Sequence, residues 1–197
     1  MKVNKQSAVY TILYIIVVVV VVGAALACVA ISLRAKQQAN ADADKMGQIL
    51  ASAHIAVENG DVFATFNKYI VSQPVYDAQG KVLDGQEAFK VDVAAEAAKP
   101  AAEREYPLYI CRLADGQEKV IIPLSGAGLW GPIWGYLALD NNATCTIYGA
   151  YFDHKGETPG LGAEIAKPFF SDQFAGKTIL AADGQFTGVA VLKKGQK

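Results

Sequence analysis

Pro123-Leu-Ser-Gly-Ala-Gly-Leu-Trp-Gly-Pro-Ile-Trp-Gly135 and Gly156-Glu-Thr-Pro-Gly-Leu-Gly162 are the two glycine-rich clusters around which this chain is organised. Between them, from Tyr136 to Phe152, lies a strand-like stretch. Both tryptophans, Trp130 and Trp134, fall in the first cluster, interleaved with glycines. Glycine lets a backbone approach a ligand closely or take positive φ. Tryptophan offers a flat apolar face with one polar N–H. Two such loops flanking a strand pair suit a flat, aromatic, phosphate-bearing ligand. The alternative is two tight loops with a tryptophan pair plugging the core.

Outward from the clusters, turn signals divide the chain into hairpins. Tyr136-Leu-Ala-Leu139, a turn at Asn141-Asn142, and a return from Thr144 to Phe152 form one. Leu108 to Leu113, the turn Ala114-Asp-Gly-Gln117 and Lys119-Val-Ile-Ile122 form another. Thr178-Ile-Leu180, Ala182-Asp-Gly-Gln185 and Phe186 to Leu192 form a last one. Thr158-Pro159 has the form of an N-cap followed by proline at the first helical position, which predicts a short helix through Ile165 ended by Pro168. Phe169 to Phe174 reads as one more helical turn. Upstream, residues 62–68 read as a short helix, residues 69–76 as a strand, and residues 81–83 as its return after a turn. Residues 87–105 are alanine- and charge-rich and are a helix or a solvated loop broken at Pro100. The sum is an α+β domain around a largely antiparallel sheet.

Residues 8–33 carry no charged side chain. At about 1.5 Å per residue such a helix exceeds the roughly 30 Å of a bilayer core. Lys2 and Lys5 precede it and Arg34 and Lys36 follow, so the basic residues orient it poorly. The alternative is a cleaved signal peptide at Ala25-Leu26-Ala27. The apolar run is longer than a signal core and continues past Cys28, which favours a retained anchor. Residues 34–58 continue as a stalk helix that Asn59-Gly60-Asp61 would stop. The division expected is a short cytoplasmic N-terminus (1–7), a transmembrane helix (8–33), a stalk (34–58) and an extracytoplasmic domain (59–197).

A formal net charge of −1 gives no footprint for nucleic acid. The three cysteines, Cys28, Cys111 and Cys145, have no metal-ligand spacing. Cys111 and Cys145 can pair only if their strands are adjacent; two buried thiols are the simpler expectation. His54 on the stalk reads as a surface or packing residue. Asp153, His154 and Glu157 lie close together, yet no further ligand is fixed by spacing, so no metal is assigned. No nucleophile elbow, zinc-protease or phosphate-loop motif is present, and no catalytic residue is assigned.

The run Gly128-Leu-Trp-Gly-Pro-Ile-Trp-Gly-Tyr-Leu-Ala-Leu139, followed by His154-Lys-Gly-Glu-Thr-Pro-Gly-Leu-Gly-Ala-Glu164, resembles the NqrC family, the C subunit of the Na+-translocating NADH:quinone reductase. It is similar, more distantly, to the G subunit of the Rnf-type electron transport complex. The order of anchor, stalk and domain fits as well. The resemblance implies a single-pass protein of the bacterial inner membrane with an FMN-binding domain on the periplasmic side. It implies electron transfer from NADH toward ubiquinone coupled to Na+ export, with the other subunits of the complex as partners and a flavin transferase for maturation. Gly128, Leu129 and Trp130 resemble the family loop beside the flavin ring. Glu157, Thr158, Pro159, Gly160, Leu161 and Gly162 resemble the second loop. Leu129 and Leu161 would wall the ring, backbone N–H groups at the expected helix start would face it or the phosphate, and Trp134 and Gly135 would pack in the core. In the family FMN is joined through its phosphate to the threonine of a Ser-Gly-Ala-Thr motif. Here Ser125-Gly126-Ala127 is followed by Gly128, so that motif is absent from these 197 residues. The resemblance therefore implies a chain shortened at its C-terminal end, about where the motif would begin. A cofactor-free, membrane-anchored assembly module is the remaining alternative.

Overall fold

The structure, a computed structural model, describes residues 7–192. It divides into two compact units, Met1–Asp44 and Lys45–Lys197. The first is the greater part of helix α1 (Ala8–Ser52). The Ser7 hydroxyl accepts the Tyr10 N–H at 3.2 Å and caps the helix start. Its apolar window is wholly unburied by protein and is long and apolar enough to cross a membrane.

Helix α1 ends at Ser52, not near residue 58 as the sequence predicts. His54 takes a left-handed φ of 58°. The Ile55 N–H then reaches the Leu50 carbonyl and the His54 N–H reaches the Ala51 carbonyl, each at 3.0 Å. This is a Schellman closure, commonly built on glycine. A histidine in that place gives no stop signal in the sequence. Asn59-Gly60 instead closes a short 3-10 turn, Glu58–Gly60.

In the second unit α2 (Val62–Tyr69), capped by Asp61, leads into β1 (Ile70–Ser72) and β2 (Val75–Tyr76). The region 87–105 becomes short pieces: a 3-10 turn, α3 (Val93–Ala98) capped by Asp92, and a second turn. Then follow β3 (Tyr106–Pro107), β4 (Tyr109–Arg112), β5 (Glu118–Ala127), β6 (Pro132–Asp140) and β7 (Ile147–His154). A 3-10 segment (Gly162–Ala166), α4 (Pro168–Ser171) and a last 3-10 turn (Asp172–Phe174) complete the order. The main sheet runs β1-β4-β5-β6-β7, every neighbour antiparallel, and β2 pairs with β3 apart from it. The α+β expectation holds.

The strand expected over residues 69–76 is instead the pair β1 and β2, and its return at 81–83 is only the bridge Tyr76–Val82. Three further local expectations need correction. The first glycine-rich cluster is not a loop along its length, because β5 and β6 extend into it, pairing Leu124 with Gly135 and Ala127 with Pro132. Only residues 128–131 turn, closed by Gly128 N–H to Gly131 carbonyl at 2.8 Å. Pro132 tolerates a strand start because it has no ladder N–H to lose. Second, no helix starts at Thr158-Pro159. The Thr158 carbonyl instead accepts the N–H groups of Leu161 and Ala163, and Gly160 has a φ of 77°. Pro168 begins α4 rather than ending a helix. Third, residues 178–192 make a turn but no strand pair: only the bridges Thr146–Thr178 and Leu180–Phe186 form. Phe186, Val191 and Leu192 stay exposed, so no burial supports a ladder there. Residues 193–197 lie outside the described residues.

The sheet carries apolar groups on both faces. On one, Ile49, Leu50 and Ala53 from the end of α1 join Phe66, Tyr109, Ile121, Tyr136 and Ala138. The helix end lies close on β7 at Gly149, where a Cβ would fall 2.6 Å from the His54 Nε2 and clash with the Ser52 carbonyl. Near Gly135 a Cβ would lie 2.6 Å from the Phe152 ring. Phe152 packs with Phe170 and Phe174 at centroid separations of 5.4 and 4.8 Å, which fastens the segment after β7 to the sheet. Cys111 in β4 and Cys145 before β7 are separated by two strands, and all three thiols are free.

Two outcomes follow from this packing. Gly149→Ala should destabilise the protein by about 1–3 kcal/mol, the cost of overpacking a filled contact, read by denaturant unfolding. Burial pushes the Cys111 thiol up to about 11, so it should resist alkylation at neutral pH until the protein is unfolded, checked by mass spectrometry of labelled peptides.

Candidate functional site: a two-loop cradle

The β5–β6 turn and the segment leaving β7 meet because β6 is paired to both neighbours. Ile133 lies opposite His154, and the Lys155 N–H donates to the Pro132 carbonyl at 3.0 Å. From there residues 155–162 run beside the 128–131 turn. The junction is made by one side chain. Glu157 is 8% exposed, and its Oε1 accepts the Trp130 N–H at 2.8 Å. Its carboxyl lies between two glycines. A Cβ on Gly128 would strike Oε1 and come within 2.9 Å of the Ile133 side chain, and a Cβ on Gly162 would strike Oε2. Both glycines are therefore needed for close approach, not for positive φ.

The second loop is closed on itself. Its Gly160 N–H donates to Glu164 Oε1 at 3.1 Å, and Lys167 pairs with the same oxygen at 2.9 Å. The Lys167 hydrogen bond, with help from Gly160, holds the Glu164 carboxyl below the usual carboxylate range. The N–H groups of residues 160, 161 and 163 are thus used within the loop. They do not form the helix start expected to face a ligand.

With the backbone pinned, the apolar side chains point outward. Leu129 is 81% exposed, Trp130 69% and Leu161 73%. Thr158, Pro159 and Gly160 are exposed beside them. Trp130 does not plug the core. Trp134 does pack against the core, as expected, with its Nε1–H on Gln48 Oε1 at 3.0 Å, and Gly135 is buried. The nine residues singled out in the sequence fall on this pair of loops, with Gly128 and Gly162 flanking Glu157 and the apolar trio around the rim. The sequence gives Ile133 and His154 no place in the cradle, which they support through backbone pairing and, for His154, the hydrogen bond from the Glu157 N–H; only the folded geometry shows this. Among the described residues no group of three or more His, Cys, Asp or Glu could hold a metal.

Comparison with known proteins bears on what such a cradle holds. The family described as the FMN-binding domain matches residues 128–196. The C subunit of the Na(+)-translocating NADH-quinone reductase of Vibrio anguillarum is 30% identical, over 99% of this chain and 81% of its own length. The protein of the same name from Pseudomonas aeruginosa is 30% identical, over 96% of this chain and 79% of its own. The crystal structure of the same protein from Parabacteroides distasonis superposes with a TM-score of 0.75 at 43% identity, covering 84% of this chain and 79% of that one. NqrC of Shewanella oneidensis shares the fold, with a TM-score of 0.64 at 23% identity over 80% of this chain and 81% of that one. The chain belongs to the NqrC family, the C subunits of the Na+-translocating NADH-quinone reductase, and carries its FMN-binding domain.

Proposed function

We propose that this chain is an electron-transfer subunit that holds one FMN in the two-loop cradle, within a membrane complex passing electrons from NADH toward ubiquinone and exporting Na+. The observation that carries the reading is the trio Leu129, Trp130 and Leu161, held out into solvent by a pinned backbone. Large apolar side chains gathered at one rim, on loops fixed beneath them, suit an occupant with an apolar face. An isoalloxazine ring has that character.

When bound, the flavin supplies reversible acceptance and donation of electrons, chemistry the side chains here lack. The chain's own residues bind and orient it. Leu129 and Leu161 wall the ring and exclude water. Trp130 adds a flat face for stacking. Gly128 and Gly162 let the two loops close on the Glu157 carboxyl, Gly160 takes the left-handed φ of the second loop, and Glu157 keeps the two loops at a fixed separation. Thr158 offers a hydroxyl at the polar rim, and Pro159 stiffens the loop between them. Residues 8–33 serve as the anchor and residues 34–52 as the stalk, with the flavin domain on the periplasmic side of the inner membrane. The other subunits of the reductase are the electron partners, and a flavin transferase serves maturation.

Deletion of the gene should abolish Na+-dependent quinone reduction by NADH in membrane vesicles, with recovery on complementation; undiminished Na+-coupled activity in the deletion would overturn the reading. Leu161→Asp, placing a charge against the ring, should lower that activity about tenfold or more while the complex still assembles, since an unpaired charge facing an apolar surface is costly.

A further inference from the structure

Glu157 does not hold itself in place. Its backbone N–H points at the ring of His154, with the Glu157 nitrogen 3.2 Å from Nδ1. A backbone N–H can only donate, so this Nδ1 carries the lone pair and the ring proton sits on Nε2. His154 is the last residue of β7, paired with Ile133 across the ladder. Its own N–H donates to Asp153 Oδ1 at 2.8 Å. Asp153 Oδ2 in turn faces Gln48 Nε2 at 3.3 Å and the Tyr151 hydroxyl at 3.4 Å. The imidazole thus stands at the rigid end of a strand and reaches three residues forward to the loop. The side chain of the residue whose N–H it accepts takes, through its carboxyl, the Trp130 N–H, 27 residues away in sequence.

We propose that His154 is a positioning residue for the cofactor cradle: through Nδ1 it fixes Glu157, and through Glu157 it sets the separation of the 128–131 and 155–162 loops. The inference rests on the reading that these loops hold FMN. It assigns His154 no contact with the flavin and no proton transfer. Its demand is chemical: an acceptor must stand where Nδ1 stands. Asparagine supplies one from a shorter planar side chain, and leucine supplies none.

The test uses the flavin-free chain of residues 1–197 in detergent and follows amide hydrogen exchange. In His154→Leu the amides of Glu157 and Trp130 should exchange about tenfold faster, the loss of one hydrogen bond, while those of Ile121 and Ala138 in the sheet stay protected. His154→Asn should restore most of the protection. Unchanged protection of Trp130 in a folded His154→Leu protein would overturn the proposal. Should that variant lose its sheet protection, the imidazole nitrogen spectrum of the unaltered protein decides: a bare Nδ1 supports the proposal, and a protonated Nδ1 at neutral pH overturns it. A second arm measures FMN affinity. His154→Leu should weaken it about tenfold and His154→Asn should not; faster exchange without weaker binding would overturn the positioning role. An unaltered protein that protects both amides yet binds no FMN would sink the flavin reading while leaving the loop lock in place.

Discussion

One buried carboxyl joins the two halves of this site. Taking a carboxyl out of water costs free energy unless donors replace the lost solvent. Glu157 recovers part of that cost from the Trp130 N–H, and in doing so ties the β5–β6 turn to the segment after β7. The room for it is made by absence of side chains. Gly128 and Gly162 lie where any Cβ would meet a carboxyl oxygen. The exposed rim of Leu129, Trp130 and Leu161 follows from this arrangement, because the backbone beneath them is not free to fold them inward.

The scaffold serves that junction. β6 is the central member of a three-strand ladder whose two outer strands each end at a loop of the site. Gly135 admits the Phe152 ring, and the Phe152, Phe170 and Phe174 cluster pins the chain that leaves the second loop. On the opposite side of β7, Gly149 admits the end of α1. The hydrogen bonds of Gln48 to Trp134 and Asp153 then connect the last turns of that helix to the two strands that carry the loops. The same glycine device thus recurs in this region, each time where backbone or a ring must come closer than a Cβ would allow.

The sheet and the site differed in how openly the sequence displayed them. Hairpins at Asp115-Gly116 and Asn141-Asn142 were legible because turn residues separate strand-like runs there, and the β4–β5 and β6–β7 ladders formed. The membrane-length run at residues 8–33 was legible from composition alone. The stop of α1 was not, since His54 occupies a place that glycine normally marks. Glycine misled in the other direction at residues 123–127, where it reads as loop but is strand, held by cross-strand pairing the sequence does not show. Thr158-Pro159 carried the marks of a helix start, yet the Thr158 carbonyl was drawn into the turn that places Leu161 at the rim. The residues of the two loops were readable through family resemblance; their dependence on His154 was a matter of geometry.

In the function proposed for this chain, the rim of Leu129, Trp130 and Leu161 receives the flavin. The most direct measurement is the emission of Trp130 during titration of FMN into the chain of residues 1–197 carrying Trp134→Phe, in which Trp130 is the one tryptophan left. Saturable quenching of Trp130 that is lost in Leu161→Asp would place the ring at this rim. Flavin bound by the protein with the emission of Trp130 unchanged would place it elsewhere and contradict the account.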